Sequence, residues 1–329
     1  MKNVSMTRTI NRVLASAATF LFVTSGMLSA QTGKSYSQLK AEHPGWVQIP
    51  GKLISPDCVH EVPNGARVEF GDNGEPTGDV TMNGQVIAHY DPCPEAGIDT
   101  RHLGGSKQEP SYGDGWVETS QWELSLGASD NIDYMFGYWN VPAAPKDNGA
   151  LIYLWNGIEP TGGNWVLQPV LQYGNGSRNG GGNYWGIGSW LVGPDNYAFY
   201  SPLEKVHSGD LIQGYTEQTG VSGSTDDYFV SAQDMTSGAY STISIHISGE
   251  HWVWAFAGVL EAYNVTSCSE YPASGSTQFF DSYVAHGYPN YEFVNPEEFY
   301  GAYYNYFGSG GPQCNFNVAV SGSTSTLYF

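Results

Sequence analysis

The chain has 329 residues, enough for one large β domain or two ordinary ones, and carries 12 basic against 32 acidic residues, a formal charge of -20. A field of that sign repels phosphate backbones and anionic headgroups, which excludes nucleic acid and an acidic membrane surface as partners. The 23 Tyr, 14 Phe and 10 Trp set among 42 Gly exclude a solvated disordered polymer and predict short packed strands joined by tight turns.

Residues 1–30 read as an export leader. Lys2, Arg8 and Arg12 form a basic end, Ala15 to Met27 is mostly apolar, and Leu28-Ser29-Ala30 ends in a small residue suited to cleavage before Gln31. No apolar run reaches the ~20 residues that span a bilayer. The expectation is therefore a secreted protein, extracellular or periplasmic, with no membrane partner. In that compartment Cys58, Cys93, Cys268 and Cys314 are expected to form two disulfides. Three pairings are open; Cys58 with Cys93 and Cys268 with Cys314 is preferred because it closes each loop within one region. A four-thiolate zinc site is disfavoured by the lack of any close Cys pair.

Charge divides the chain beyond the leader. Residues 31–110 hold 6 basic and 11 acidic residues, while 111–329 hold 3 and 21. The stretch Leu103 to Gly115, rich in Gly, Ser and Pro, places a boundary near residue 110. Region 31–110 offers strands at Ala66–Phe70 and Gln85–Tyr90, with turns at Asp72-Asn73-Gly74 and Asn83-Gly84. It is expected to be a propeptide or a small accessory β region that covers a groove of the C-terminal part.

From 111 to 329 the strand-like runs are Ile132–Val141, Ala150–Ile158, Trp165–Tyr173, Asn183–Val192, Leu211–Glu217, Tyr240–Ile247, Trp252–Tyr263 and Thr277–Val284. Gly, Pro and Asn punctuate them, and no capped amphipathic helix of ordinary length is apparent. The fold class is all-β, an antiparallel β-sandwich or jelly roll. Neither Gly180-Gly181-Gly182 nor Gly308-Ser309-Gly310-Gly311 feeds a phosphate-loop helix.

The chain has no GxSxG elbow and no HExxH pair, and its cysteines are expected to be oxidised. Carboxylates, amides and aromatics remain. Gln168 and Gln172 fall on one face of an extended run, since side chains repeat every second residue. Glu261 closes the apolar run that starts at Trp252; buried there, its pKa would rise and suit it to proton transfer, whereas an exposed strand end would leave it ordinary.

Leu154-Trp155-Asn156-Gly157-Ile158-Glu159 followed by Val166-Leu167-Gln168 resembles the segment bearing the catalytic Gln of the glutamic peptidases, the eqolisin family. Trp185 to Trp190 and Val206 to Ile212 resemble that family's aromatic strand and its Asp-containing turn, and Ala257 to Ala262 resembles the strand with its catalytic Glu. Pro169-Val170 stands where Thr-Gly usually follows the Gln, Ser189 where a Glu precedes the Trp, and His207 where a Pro begins the turn. The resemblance covers much of residues 130–285. It implies a concanavalin-like sandwich of curved sheets, residues 111–329 as the catalytic domain, and a dyad of Gln168 and Glu261.

Such a dyad performs acid endopeptidase chemistry on a polypeptide substrate. Ionised Glu261 takes a proton from water, the Gln168 amide supports the developing oxyanion, and no metal, cofactor or covalent intermediate is needed. Trp155, Glu159, Trp165, Gln172, Trp185 and Trp190 are expected along the groove, although any single aromatic is as readily a core residue. A monomer is expected. The alternative is a glycan-active enzyme, glycosidase or lyase, or a lectin-like binding protein, with Glu159 and Glu261 as the carboxylate pair.

Overall fold

The computed structural model describes residues 34–71, 76–91, 93–103, 112–125, 130–163, 165–193, 197–303 and 314–329. The leader expected at 1–30, the turn at 72–74 and the boundary near 110 lie outside these residues. Before the boundary the strands are β1 (Val47–Ile49), β2 (Lys52–Ile54), β3 (Val59–Glu61), β4 (Arg67–Phe70), β5 (Pro76–Met82), β6 (Gln85–His89) and β7 (Ile98–Asp99). After it come β8 (Gly115–Glu123), β9 (Ile132–Asn140), β10 (Leu151–Pro160), β11 (Val166–Ser177), β12 (Gly180–Val192), β13 (Ala198–Tyr200), β14 (Glu204–Val206) and β15 (Leu211–Ser222). The series ends with β16 (Thr225–Asp234), β17 (Tyr240–Ser248), β18 (Trp252–Tyr263), β19 (Ser276–His286), β20 (Glu292–Phe293), β21 (Tyr300–Tyr303), β22 (Asn317–Ser321) and β23 (Thr324–Tyr328).

Two large sheets face each other. The first runs β21-β8-β18-β10-β11-β12-β13-β3, with β14 also on β12; the second runs β22-β23-β19-β9-β15-β16-β17-β4-β5-β6, with β20 on β19. Among the described residues every strand pairing is antiparallel except β13 with β3 and β17 with β4. The expected all-β sandwich is the observed architecture. One α-helix, Tyr36–Glu42, occurs among the described residues, started by a Ser35–Gln38 capping box.

Alternation decides which side chains meet. Along β10 every residue is buried, because the strand is covered on both faces. Ile152, Leu154 and Ile158 join Leu167, Leu171 and Leu191 in packing against Met135, Val230, Ile243 and Trp139 of the second sheet. Tyr153 and Trp155 point the other way, into a third cluster with Val170, Val259, Tyr36, Leu39, Ile49 and Leu53. The outer face of the first sheet is therefore roofed by the N-terminal region.

That region is built into both sheets. β3 lies parallel beside β13, and β4, β5 and β6 continue the second sheet beyond β17. A short third sheet, β1-β2-β7, makes the roof itself. The strands expected at Ala66–Phe70 and Gln85–Tyr90 are β4 and β6, and their composition gave no sign of these distant partners. Asn83 and Gly84 both adopt positive φ, 51° and 75°, as a two-residue hairpin turn between twisted strands requires. The disulfides are Cys58–Cys93 and Cys268–Cys314, the preferred pairing, and no cysteine is free. No helix among the described residues is long and apolar enough to cross a membrane.

Candidate functional site

Glu261 lies fully buried on β18, facing the roof. Its Oε1 accepts from the Tyr263 hydroxyl at 2.6 Å and from the backbone N–H of Gly51 at 2.6 Å, and Oε2 accepts from the Trp155 indole at 3.2 Å. Burial pushes its pKa up to about 7, against the pull of donors that include Tyr263, Gly51 and the indoles of Trp155 and Trp116. The strand-end reading of Glu261 is thus replaced by a fully buried carboxyl in an aromatic box.

Tyr153 stands directly beside Glu261 on the neighbouring strand, as its register partner, so their Cβ atoms are ~5 Å apart. The Tyr153 hydroxyl donates to the carbonyl of Gln48 at 3.2 Å. One polypeptide segment of the roof is therefore held at a carbonyl by Tyr153 and at an N–H by Glu261. Gly51 sits in the β1–β2 turn with φ of +74°, and a Cβ there would approach Arg101 Cγ at 3.2 Å. The positive φ and the close Arg101 stem together call for glycine at this turn. Thr100 adds a contact of 2.9 Å to the Tyr263 hydroxyl.

The two residues expected as a dyad share this face but not a row. Gln172, Tyr153 and Glu261 are in register across β11, β10 and β18. Gln168 is opposite Gly157, whose missing Cβ would lie 3.2 Å from Gln168 Cβ, and Gly157 pairs on its other side with Phe256. Gln168 is displaced from Glu261 by two strand spacings, roughly 10 Å, and by four residues along the strand, roughly 13 Å. No hydrogen bond joins them among the described residues. Gln168 and Gln172 are both buried with Oε1 unpaired, and Gln172 donates through Nε2 to the Gly180 carbonyl at 3.0 Å.

The expected groove residues separate into two groups. Trp155, Trp190, Glu159, Gln168 and Gln172 face the roof, Trp190 packing 4.9 Å from Tyr200. Trp165 and Trp185 belong to the packing between the sheets, the first edge-on to Phe70 at 4.7 Å and the second 5.1 Å from Tyr173. Strand parity turns Trp185 inward, away from the face that carries Gln172. Tyr153, Tyr263, Gly51 and Arg101 were not singled out by sequence, yet Tyr153 is two residues from Trp155 and Tyr263 two from Glu261, a period that puts each pair on one face.

Glu159 is buried and held by Arg101 Nη1 at 2.6 Å, while Asp99 takes Nη2 at 2.5 Å and Nε at 3.1 Å. Burial raises the Glu159 pKa to about 7 even against Arg101, whereas Asp99, with more of the guanidinium bonds and the Arg101 backbone N–H, is lowered. Arg101 and Asp99 belong to the roof and Glu159 to β10, so the cluster ties the two. Arg101→Met keeps the apolar stem but strands two carboxyls without their cation. Limited thermolysin digestion at neutral pH is expected to nick residues 34–103 of this variant severalfold faster; an unchanged rate would mean the cluster does not hold the roof.

No protein-family model matches the chain, and no curated protein matches it in sequence. Among solved structures, scytalido-glutamic peptidase with a peptide-based transition-state analogue is similar over 65% of this chain and 97% of its own, at 17% identity and a TM-score of 0.43. SCP-B, a member of the eqolisin family of peptidases in complex with the tripeptide Ala-Ile-His, is similar over 65% and 98%, at 16% identity and 0.41. Aspergilloglutamic peptidase from Aspergillus niger is similar over 56% and 99%, at 18% identity and 0.33. The class that this chain's own sheets define is the all-β sandwich.

Proposed function

We propose that this chain is a latent endopeptidase, made inactive by its own N-terminal region, with Glu261 as its proton-transfer group. The observation that carries the reading is the seat of the roof: a polypeptide backbone lies on the outer sheet face with the Gly51 N–H on Glu261 at 2.6 Å and the Gln48 carbonyl on Tyr153 at 3.2 Å. A face that grips one backbone by a carbonyl and an N–H suits another. The motif resemblance to the glutamic peptidases supports the same chemistry.

In the open form, water replaces Gly51 at Glu261. Rehydration removes the main cause of the raised pKa, so the carboxyl ionises at lower pH than under the roof. Glu261 then takes a proton from that water as its oxygen adds to the scissile carbonyl carbon. The Tyr153 hydroxyl, beside Glu261 and already shaped to donate to a peptide carbonyl, stabilises the oxyanion. The proton on Glu261 passes to the amide nitrogen as the C–N bond breaks, which restores the carboxylate and releases an amine and a carboxylic acid. Gln172, in the same row, and Gln168, further along the face, bind the substrate backbone.

The roof contacts do not loosen in acid by themselves. Glu261 and Glu159 are raised, so their protonated forms favour the closed state, and release is assigned to cleavage of the chain between the roof and β8. Both disulfides leave that route open, since neither links residues before 104 to residues after 111. The test is incubation of the full-length chain with a disordered protein such as casein from pH 3 to 8, with and without chelator, and N-terminal sequencing of the product. Casein cleavage accompanied by a new N-terminus within about residues 100 to 116 is expected. No casein cleavage at any pH, by the intact or the cut chain, would overturn the reading.

A further inference from the structure

The opposite side of the molecule carries a second surface that this chemistry does not use. On the outer face of the second sheet, β9 displays Tyr134, Phe136 and Tyr138, which alternate with the buried Met135 and Gly137. Cross-strand register extends them sideways: Phe136 lies between Tyr283 of β19 and Tyr215 of β15, and Tyr138 between Phe280 and Gln213. The rings form a ruffled aromatic platform. Tyr134 and Phe136 stack nearly parallel, 5.9 Å apart at 9°, Phe136 meets Tyr138 edge-on at 5.0 Å and 87°, and Tyr138 and Phe280 lie 6.0 Å apart at 26°.

A cavity of about 650 Å³ opens over one end of this platform, walled by Tyr134, Phe136, Tyr283, Tyr291 and Phe293 with Glu217 at its side. That size is in the range of small-molecule sites, and an apolar lining with few polar groups is their usual form. Phe293 is 64% exposed and Tyr283 41%. A chain of this composition has ample core in which to hide such rings, so their collection on one open face calls for a ligand.

Charge and chemistry narrow the ligand. Among the residues that line the cavity there is one carboxylate and no Lys, Arg or His, so an anion finds no complement there and a strongly basic partner finds only Glu217. A second copy of a chain with formal charge -20 is repelled. A purely apolar ligand would strip water from the interleaved polar groups of β15, which alternates Gln213, Tyr215 and Glu217: Gln213 Nε2 donates to the Tyr138 hydroxyl at 2.9 Å and Tyr291 donates to Glu217 at 3.4 Å, bonds that leave further acceptor capacity on the Gln213 amide and the Glu217 carboxylate. A pyranose ring meets both demands. Its C–H faces lie against the negative faces of aromatic rings, and its hydroxyls reach amides, phenols and a carboxylate at the rim.

We infer that the outer face of the second sheet, centred on Phe136 and Tyr283, is a binding site for a neutral polysaccharide, separate from the Glu261 face. It tethers the molecule to a glycan surface and needs no proton transfer. The test is retention of the full-length chain on insoluble cellulose, chitin, xylan and β-1,3-glucan, at low salt and in 1 M NaCl, alongside a Tyr283→Ala/Phe293→Ala variant. Both positions are exposed, so the variant folds, which its thermal unfolding checks. Retention on at least one polysaccharide is expected, insensitive to salt because no ion pair carries it, and at least tenfold weaker in the variant. Casein cleavage should be unchanged in the variant, so the two readings fail separately. No retention on any of the four, or equal retention of parent and variant, would overturn the inference.

Discussion

Glu261→Gln is expected to leave a folded protein that no longer cleaves casein. General acid–base catalysis contributes on the order of 10² to 10⁴ in rate, and the amide can neither take a proton from water nor return one to the leaving nitrogen. The fold should survive, because the substitution keeps the shape and removes a buried ionisable group whose charged form is disfavoured. Two companions apportion the rest. Tyr153→Phe removes the hydroxyl that donates to a backbone carbonyl at 3.2 Å, and loss of one oxyanion donor costs on the order of 10² to 10³ in kcat. Gln168→Ala, at a site roughly 13 Å further along the sheet, should lower kcat by less than tenfold and act mainly on KM. A Gln168→Ala loss as large as that of Glu261→Gln would restore the Gln168–Glu261 dyad and remove Tyr153 from the oxyanion role.

What could be read in the sequence depended on the range of the interaction. β10, β11, β12 and β18 stand out as long apolar runs because they are covered on both faces, the sandwich core on one side and the roof on the other. β16 hid behind Asp226, Asp227 and Asp234, which sit near its ends, while Tyr228, Val230 and Ala232 alternate into the core. Pairing over long sequence separations left no local trace. Nothing in Val59–Glu61 or Arg67–Phe70 announces that one lies beside β13 and the other beside β17. Glu261 was legible through the apolar run it ends, but the row it shares is fixed by cross-strand register, with bulges in the β10–β18 pairing between Trp155 and Gly157 and again near Glu159. Tyr153 was invisible for a different reason: a Tyr in an apolar strand ordinarily packs, and only the Gln48 carbonyl beside it marks it out.

Stability should run opposite to the usual acid denaturation. Burial raises the pKa of Glu118 to about 9, of Asp114, Glu159 and Glu261 to about 7, and of Asp133 and Asp226 to about 6. Between the ordinary carboxyl range and these values the folded chain holds protons that the unfolded chain has released. The stability these groups contribute is therefore complete below about pH 4 and is lost as pH rises through 6, 7 and 9. Asp99 and Asp234 are lowered and act in the opposite sense, losing their contribution only in stronger acid. His60 and His102, each lowered to about 4 by burial, also lose stability as pH falls toward that value. The raised carboxyls outnumber these opposing groups and place the maximum near pH 4 to 5, with a decline on the order of several kcal/mol toward pH 9. The measurement is thermal unfolding of the full-length chain from pH 3 to 9. Tm should fall steadily above pH 5, and Glu118→Gln, which cannot ionise, should flatten the curve between pH 7 and 9. A Tm that rises from pH 5 to 8 would show that these carboxyls are hydrated in the native protein, and with them the Glu261 box on which the proposed latent state depends.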